Sequence, residues 1–298
     1  MRGPHWTSLS GTCTKRRMPA PGSSCFPRRT SRGYPVWIWR LRPENDAQLT
    51  STIFAKLLEN STDLTADGLR PLQEAAAARG VVVVCGVHER QGAFSRATIY
   101  NTVVTIGASG RILNRHRKLM PTNPERMVWG QGNASGLRVV DTEVGRVGSL
   151  ICSENYMPLC PLRALRGGGR DLCRSDVGLG RDLAREHAAH RCGGPLLGHG
   201  GRQLATGVRR ARVVPGPIGA VPGRRRMAQP GRLGSARPRG QPRRGPLHEE
   251  HGMLLAALDS SRAAPAHRTL DVAGHYARSD VFQLTINRAP GKPVHFAD

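Results

Sequence analysis

No apolar run in this 298-residue chain approaches the ~20 residues needed to cross a membrane, so no spanning helix is expected. The first residues are basic but lack an apolar core segment, so no secretory signal is expected either. The seven cysteines are odd in number and follow no repeated spacing. That speaks against a disulfide framework and for a reducing compartment, the cytoplasm. Aromatic residues are scarce at 4%. Acidic residues are missing from whole stretches, and this shortage accounts for the formal net charge of +24.

A charge of that size would ordinarily point to a nucleic-acid partner, but its distribution argues otherwise. Residues 1–33 hold seven Lys/Arg and no acids, and residues 161–244 hold nineteen Arg, no Lys and four acids. The rest of the chain has 19 bases against 17 acids, a net charge of only +2. The two basic blocks contain no recognisable nucleic-acid-binding motif. Specific nucleic-acid binding is therefore not expected, and nonspecific binding by a basic, inactive protein is the alternative from another functional class.

Outside those blocks the chain carries regular patterns. Asn45–Leu58 has helical spacing, and Leu64–Ala78 opens a second helix closed by Gly80. Val81–Gly86 reads as a buried strand. Thr98–Ile106 and Arg111–His116 read as a hairpin about Ala108-Ser109-Gly110, and Leu137–Thr142 and Gly145–Cys152 as another about Glu143-Val144. Gly252–Leu258 reads as a strand, Ser261–Arg268 as a short helix and Asp280–Ile286 as a last strand. Alternating helices and strands over 34–160 imply a layered α/β domain. Residues 1–33 and about 160–244 are aperiodic, and disorder is expected there.

The chemically telling stretch is Asn114–Pro158. It offers Lys118, Glu125 and Cys152, the last where an apolar run, Val147–Ile151, breaks into polar Ser153-Glu154-Asn155. Alone, each residue also has a plain reading: Cys152 as a small buried hydrophobe, Lys118 as part of a solvated charge run, and Glu125 as a surface ion-pair partner. His187, His190 and Cys192 resemble a metal cluster in composition only, and no metal site is expected.

The motifs sharpen this. They are Gly33-Tyr34-Pro35 with Trp37 and Trp39, then His116-Arg117-Lys118-Leu119 with Pro121-Thr122. Glu125-Arg126 with Trp129-Gly130 follows, then Leu150-Ile151-Cys152 with Glu154-Asn155. Gly245-Pro246-Leu247 with Glu249-Glu250, and Asp271–Tyr276, complete the set. Residues 34–160 and 245–298 thereby resemble the nitrilase branch of the carbon–nitrogen hydrolase superfamily. The resemblance implies a four-layer αββα sandwich, incomplete here because 160–244 does not match. The corresponding domain would run over 34–298, interrupted by that block. It also implies Cys152 as nucleophile, Lys118 as transition-state stabiliser and Glu125 as an auxiliary glutamate, with no cofactor. Substrates would be a small nitrile and water, giving acid and ammonia. A related cyanide hydratase or amidase activity is the alternative, and homo-oligomers are usual in the family.

Two departures stand out. The family usually has Trp after the cysteine, where this chain has Ser153. Its general-base glutamate, in a Pro-Glu-Ala context before Gly-Tyr-Pro, is missing; here Phe26-Pro27 is followed by Arg28-Arg29. Both basic blocks are consistent with out-of-frame translation. Residues 226–246, back-translated with suitable third bases and read one nucleotide later, give GWLNPGDSVALDPEGNLVAGP, and 159–181 can hide ARYALYAGGVEIYVAPTWDSG. Residues 23–35, read two nucleotides later before rejoining frame at Tyr34, can give ELVLPEAYVPGYP, which contains Pro-Glu-Ala. An unperturbed thiol has a pKa of about 8.5 and needs a base or nearby cation near neutrality. Loss of the glutamate therefore implies an impaired enzyme.

Overall fold

In the computed structural model, the described residues are 34–42, 44–92, 95, 97–157, 159, 278 and 280–289. The backbone of seven further strands is also described: β1 (His5–Leu9), β2 (Gly22–Phe26), β9 (Asp171–Ser175), β10 (Leu197–Gly201), β11 (Arg232–Ala236), β12 (Pro242–His248) and β13 (Met253–Ala257). Between them in sequence lie α1 (Ala47–Glu59), β3 (Thr62–Asp63), α2 (Arg70–Arg79), β4 (Val82–Arg90), β5 (Ile99–Ile106), β6 (Ile112–Arg117), β7 (Val139–Thr142) and β8 (Gly145–Ile151).

Two sheets form the body. The first has the order β13-β1-β2-β4-β5-β6, with β3 pairing β4 off this path; the second runs β12-β11-β10-β9-β8-β7. Each has a run of parallel strands, β1-β2-β4 in one, where β3 is also parallel to β4, and β10-β9-β8 in the other, with antiparallel neighbours at the ends of each run.

β4 explains its own position. Its residues are buried on both faces from Val82 to Glu89, so it reads as a continuous apolar run rather than an alternation. Val82 and Val84 point inward and meet Val103 of β5 and Val144, Val147 and Ile151 around β8, forming the sandwich interior. Val83, Cys85 and Val87 point outward and are covered by Leu69, Leu72 and Ala76 of the α2 segment. α2 stops at Gly80, whose φ of +58° is the left-handed geometry glycine adopts without strain. α1 lays Phe54, Leu57 and Leu58 on Tyr34, Ile38, Ile99, Val128 and Trp129.

Helices on one side and two facing sheets give three of the four expected layers, and the α/β class stands. The helical layer over the second sheet falls outside the described residues, as does the helix expected at 261–268. Two expectations change. The segments 1–33 and 160–244, read as aperiodic, contribute β1, β2, β9, β10, β11 and part of β12, so the second sheet has six strands rather than a truncated set. A ladder is made by backbone N–H and C=O groups, and five-residue strands such as β9 and β10 need no side-chain period to pair. The last strand expected at 280–286 is absent. Val281 and Phe282 close a turn back onto Arg278, and residues 282–288 enter no ladder among the described residues. The alternation in the sequence is there, but no strand edge among the described residues meets it.

Candidate active site

Lys118 lies one residue beyond β6, at the point where the strand leaves its ladder with β5. Its N–H donates to Asn101 O at 2.8 Å, which extends the pairing by one step. The loop that follows is laid directly against β6. Gly132 N donates to Lys118 O, and a β-carbon at Gly132 would sit 2.4 Å from Arg117 O. One at Gly136 would sit 2.1 Å from Arg115 O. Only glycine permits so close an approach of two backbones.

Glu125 is set by a local device. Thr122 and Glu125 form a capping box on the 3-10 turn Asn123–Met127, with Thr122 N donating to Glu125 Oε2 at 2.8 Å. Lys118 Nζ donates to the same Oε2 at 2.6 Å and to Thr122 Oγ1 at 3.0 Å. Both side chains of the ion pair are buried. Tyr34 donates its hydroxyl to Glu125 Oε1 at 2.9 Å and accepts Trp39 Nε1–H at 2.9 Å. The Tyr-Pro-Val-Trp-Ile-Trp segment, Tyr34–Trp39, thus reaches the Lys118–Glu125 pair across 91 residues of sequence.

Cys152 follows the last residue of β8 and opens the 3-10 turn Cys152–Tyr156. Its φ is +54°, a left-handed conformation that costs a non-glycine residue on the order of 1–2 kcal/mol. Glu154 holds this turn. It is fully buried and accepts from Ile151 N at 2.7 Å, from Leu119 N at 2.7 Å and from His116 Nε2 at 2.9 Å. One carboxylate thereby ties the turn carrying Cys152 to the strand end carrying Lys118. A second tie runs through Ser153, whose hydroxyl is 3.0 Å from Thr122 Oγ1. The continuous chain is Ser153–Thr122–Lys118–Glu125–Tyr34–Trp39.

On the inner face of the first sheet, His88 stands opposite Asn101 in register. Trp129 donates Nε1–H to His88 Nδ1 at 3.1 Å and stacks on the imidazole with centroids 5.5 Å apart. The acceptor role of Nδ1 places that ring's proton on Nε2.

The structure therefore joins Lys118 and Glu125 directly and links both to the Cys152 turn. Arg28, where the general base was expected, lies outside the described residues, as do His187, His190 and Cys192. Among the described residues no group of three or more His, Cys, Asp or Glu is placed to hold a metal ion, and no helix is long and apolar enough to cross a membrane. Tyr34, Thr122, His116 and Glu154 belong to the arrangement without having been singled out for it. Their motifs were visible in the sequence; their contacts were not.

A carbon-nitrogen hydrolase family profile matches residues 47–189. Among curated proteins, Nitrilase 3 of Arabidopsis thaliana is 33% identical over 228 residues, 76% of this chain and 65% of its own length. The bifunctional nitrilase/nitrile hydratase NIT4B of Lupinus angustifolius is 32% identical over 252 residues, 82% of this chain and 69% of its own. Nitrilase blr3397 of Bradyrhizobium diazoefficiens is 31% identical over 276 residues, 90% of this chain and 80% of its own. The chain thus spans 65% to 80% of the length of these relatives. Of solved structures, a carbon-nitrogen hydrolase from Helicobacter pylori superposes with a TM-score of 0.63 at 13% identity, covering 93% of this chain and 97% of that one. A glutamate-to-glutamine mutant of the amidase from Nesterenkonia sp. AN1, carrying a Michael adduct of acrylamide on its active-site cysteine, superposes at 0.56 with 17% identity, covering 83% and 85%.

Proposed function

Because this chain belongs to the carbon–nitrogen hydrolase family, in its nitrilase branch, we propose that it hydrolyses a small nitrile to the carboxylic acid and ammonia through Cys152. The observation that carries this reading is the buried Lys118 ammonium, bonded to Glu125 and Thr122 and tied to the nucleophile's turn through Ser153 and Glu154.

The chemistry follows from those atoms. Cys152 Sγ adds to the nitrile carbon; an S–C bond forms, one C–N π bond breaks, and the nitrogen takes a proton to give a thioimidate. Water adds to that carbon, ammonia leaves, and a thioester remains. A second water releases the acid and restores the thiol. Negative charge grows on the substrate nitrogen in the first step and on oxygen in the later ones. A fixed ammonium beside it, already desolvated, stabilises both without reorganisation. Glu125 holds Lys118 in place and balances its charge. No step needs a metal or organic cofactor.

The base that should take the thiol proton is the weak point. In the family it is a glutamate; here Arg28 stands in its place, and residues 1–33 contain no acid. Removing a general base costs about 10²–10⁴-fold, so turnover is low in this chain. Out-of-frame translation of 1–33 and 160–244 explains both the lost glutamate and the arginine excess, and the nucleotide sequence around the codons for Tyr34, Cys160 and Gly245 tests it. The scattered cysteines favour a cytoplasmic site of action, and assembly into homo-oligomers follows the family habit.

A second product deserves measurement, because three of the relatives of this chain are bifunctional nitrilase/nitrile hydratases. If the tetrahedral intermediate expels sulfur rather than ammonia, the amide is released. The test is release of ammonia, acid and amide from a nitrile panel by wild type and Cys152→Ala. A Cys152-dependent product supports the reading; equal background in both removes it.

A further inference from the structure

Asn101 lies on β5 and is 1% exposed, yet neither its Nδ2 nor its Oδ1 has a hydrogen-bond partner among the described residues. An unpaired buried carboxamide is costly, on the order of 1–3 kcal/mol for each group left unsatisfied. The neighbours make the position informative. Asn101 is on the same side of β5 as Val103, which packs with Ile151 and Cys152 in the sandwich interior. It is flanked on β4 by His88 and at the end of β6 by Lys118, whose N–H its own carbonyl accepts. Two other inward atoms, Ser149 Oγ and His116 Nδ1, are also without partners. Of these unpaired groups among the described residues, Asn101 alone presents a donor and an acceptor together, directly beside Lys118.

We infer that the Asn101 carboxamide binds the reacting nitrogen of the substrate, a reading that rests on the nitrile hydrolysis proposed above. A nitrile nitrogen can only accept, and Nδ2–H donates to it. When Cys152 Sγ bonds to the carbon and the nitrogen takes its proton, the new N–H has a lone-pair partner in Oδ1. In the tetrahedral state the nitrogen bears further N–H bonds, and the same oxygen orients it for departure as ammonia. Both halves of the amide are thus satisfied as the reaction proceeds, and more fully after addition than before. The contact therefore acts on kcat more than on KM.

The test compares wild type, Asn101→Leu and Cys152→Ala on a nitrile and on the methyl ester of the corresponding acid, under single-turnover conditions with enzyme in excess. The ester reaches the same thioester without a reacting nitrogen. Asn101→Leu keeps the volume and removes an unpaired polar group, so it should match or exceed wild type in thermal stability. We expect it to slow the nitrile about tenfold or more, mainly in kcat, and to leave the ester within about twofold. Equal loss on both substrates, no loss on the nitrile, or a large drop in Tm overturns the assignment. Nitrile turnover in wild type no greater than in Cys152→Ala removes the nitrilase reading and this inference with it. Cys152-dependent turnover that Asn101→Leu does not change removes only the inference.

Discussion

The carboxylate of Glu154 is bonded to the imidazole of His116 at 2.9 Å, with both side chains fully buried. The same carboxylate takes the N–H groups of Ile151 and Leu119, so three donors from two separate segments converge on two oxygens. Glu154→Gln replaces one of those oxygens with an amide NH2, a donor that opposes an N–H donor in either orientation. Loss of a buried, multiply bonded carboxylate should cost about 2–4 kcal/mol. It should also release the turn that holds Cys152 at φ +54°. Urea unfolding and the rate at which acrylamide alkylates Cys152, followed by mass spectrometry, read the two effects. A variant as stable as wild type, with unchanged alkylation, would show that Glu154 is not the strap between the segments.

Lys118 and Glu125 form an ion pair closed to solvent, and its two members fail differently when removed. Glu125→Leu leaves a buried ammonium without its carboxylate, and Lys118→Met leaves the converse. Each should destabilise by about 3–5 kcal/mol. The double variant removes both charges and should recover much of that loss while remaining inactive. Denaturant titrations of the four proteins give the coupling, and ammonia release gives the activity. Additive losses in the double variant would mean that the two side chains do not depend on each other.

Asp63 carries the pH dependence that the structure assigns most plainly. The Thr65 hydroxyl, at 2.6 Å, and then the Thr65 N–H, at 2.9 Å, hold its carboxyl below the ordinary carboxylate value; Arg90 at 3.8 Å adds a weaker pull. A carboxylate depressed on folding stabilises the native state above its unfolded pKa, and loses that contribution as pH falls through the folded value. Asp63→Asn should therefore be less stable than wild type from neutrality down to about pH 4, by on the order of 1 kcal/mol after allowance for solvent screening. The two curves should converge in more acidic solution. A constant gap down to pH 2 would assign the effect to geometry rather than charge.

What the sequence made legible follows from where the information lies. α1 and β4 carry dense apolar patterns, and they fold where those patterns put them; α2 closes at Gly80 as expected but opens at Arg70 rather than Leu64, because residues 64–69 form turns. Lys118, Glu125 and Cys152 were visible because their motifs are local. Glu154, Thr122 and Tyr34 stood inside those same motifs, but their work is done over separations such as 38 and 91 residues, which no local pattern encodes. β9 and β10 were invisible for a different reason: arginine, glycine and aspartate in DLCRS and LGHGG give no alternation, and they are defined by backbone ladders, β9 with β8 and β10 with β9 and β11. The strand expected at 280–286 shows the converse, an alternation that meets no partner strand among the described residues.

Gly132 tests how closely the loop after Lys118 must approach β6. A methyl group there would meet Arg117 O at 2.4 Å and Arg117 Cβ at 2.7 Å, and neither atom can retreat without moving the strand end. Gly132→Ala should cost about 1–3 kcal/mol and shift Lys118, whose carbonyl accepts the Gly132 N–H. Activity should then fall by more than stability alone explains at temperatures well below Tm. Unchanged Tm and turnover would show that the loop yields at little cost.

Restoring the missing carboxylate is the most direct test of why this chain should be slow. β2 ends at Phe26, which is in parallel register with Cys85 of β4, one residue before Gly86, which shares the inner face of β4 with His88. Position 28 follows that strand end by two residues, and the alternative reading frame puts Pro-Glu-Ala at 27–29. Two variants are informative: Arg28→Glu alone, and replacement of 23–35 by ELVLPEAYVPGYP. If the thiol lacks only its base, the segment replacement should raise Cys152-dependent ammonia release by about 10²–10⁴-fold. The single substitution should recover part of that gain, because Arg29 and the surrounding segment still present the wrong charge and shape. The gain should appear as a new ascending limb in the pH profile of kcat/KM, set by ionisation of the introduced carboxyl. If neither variant gains activity, the loss lies in the block 160–244 rather than in the base.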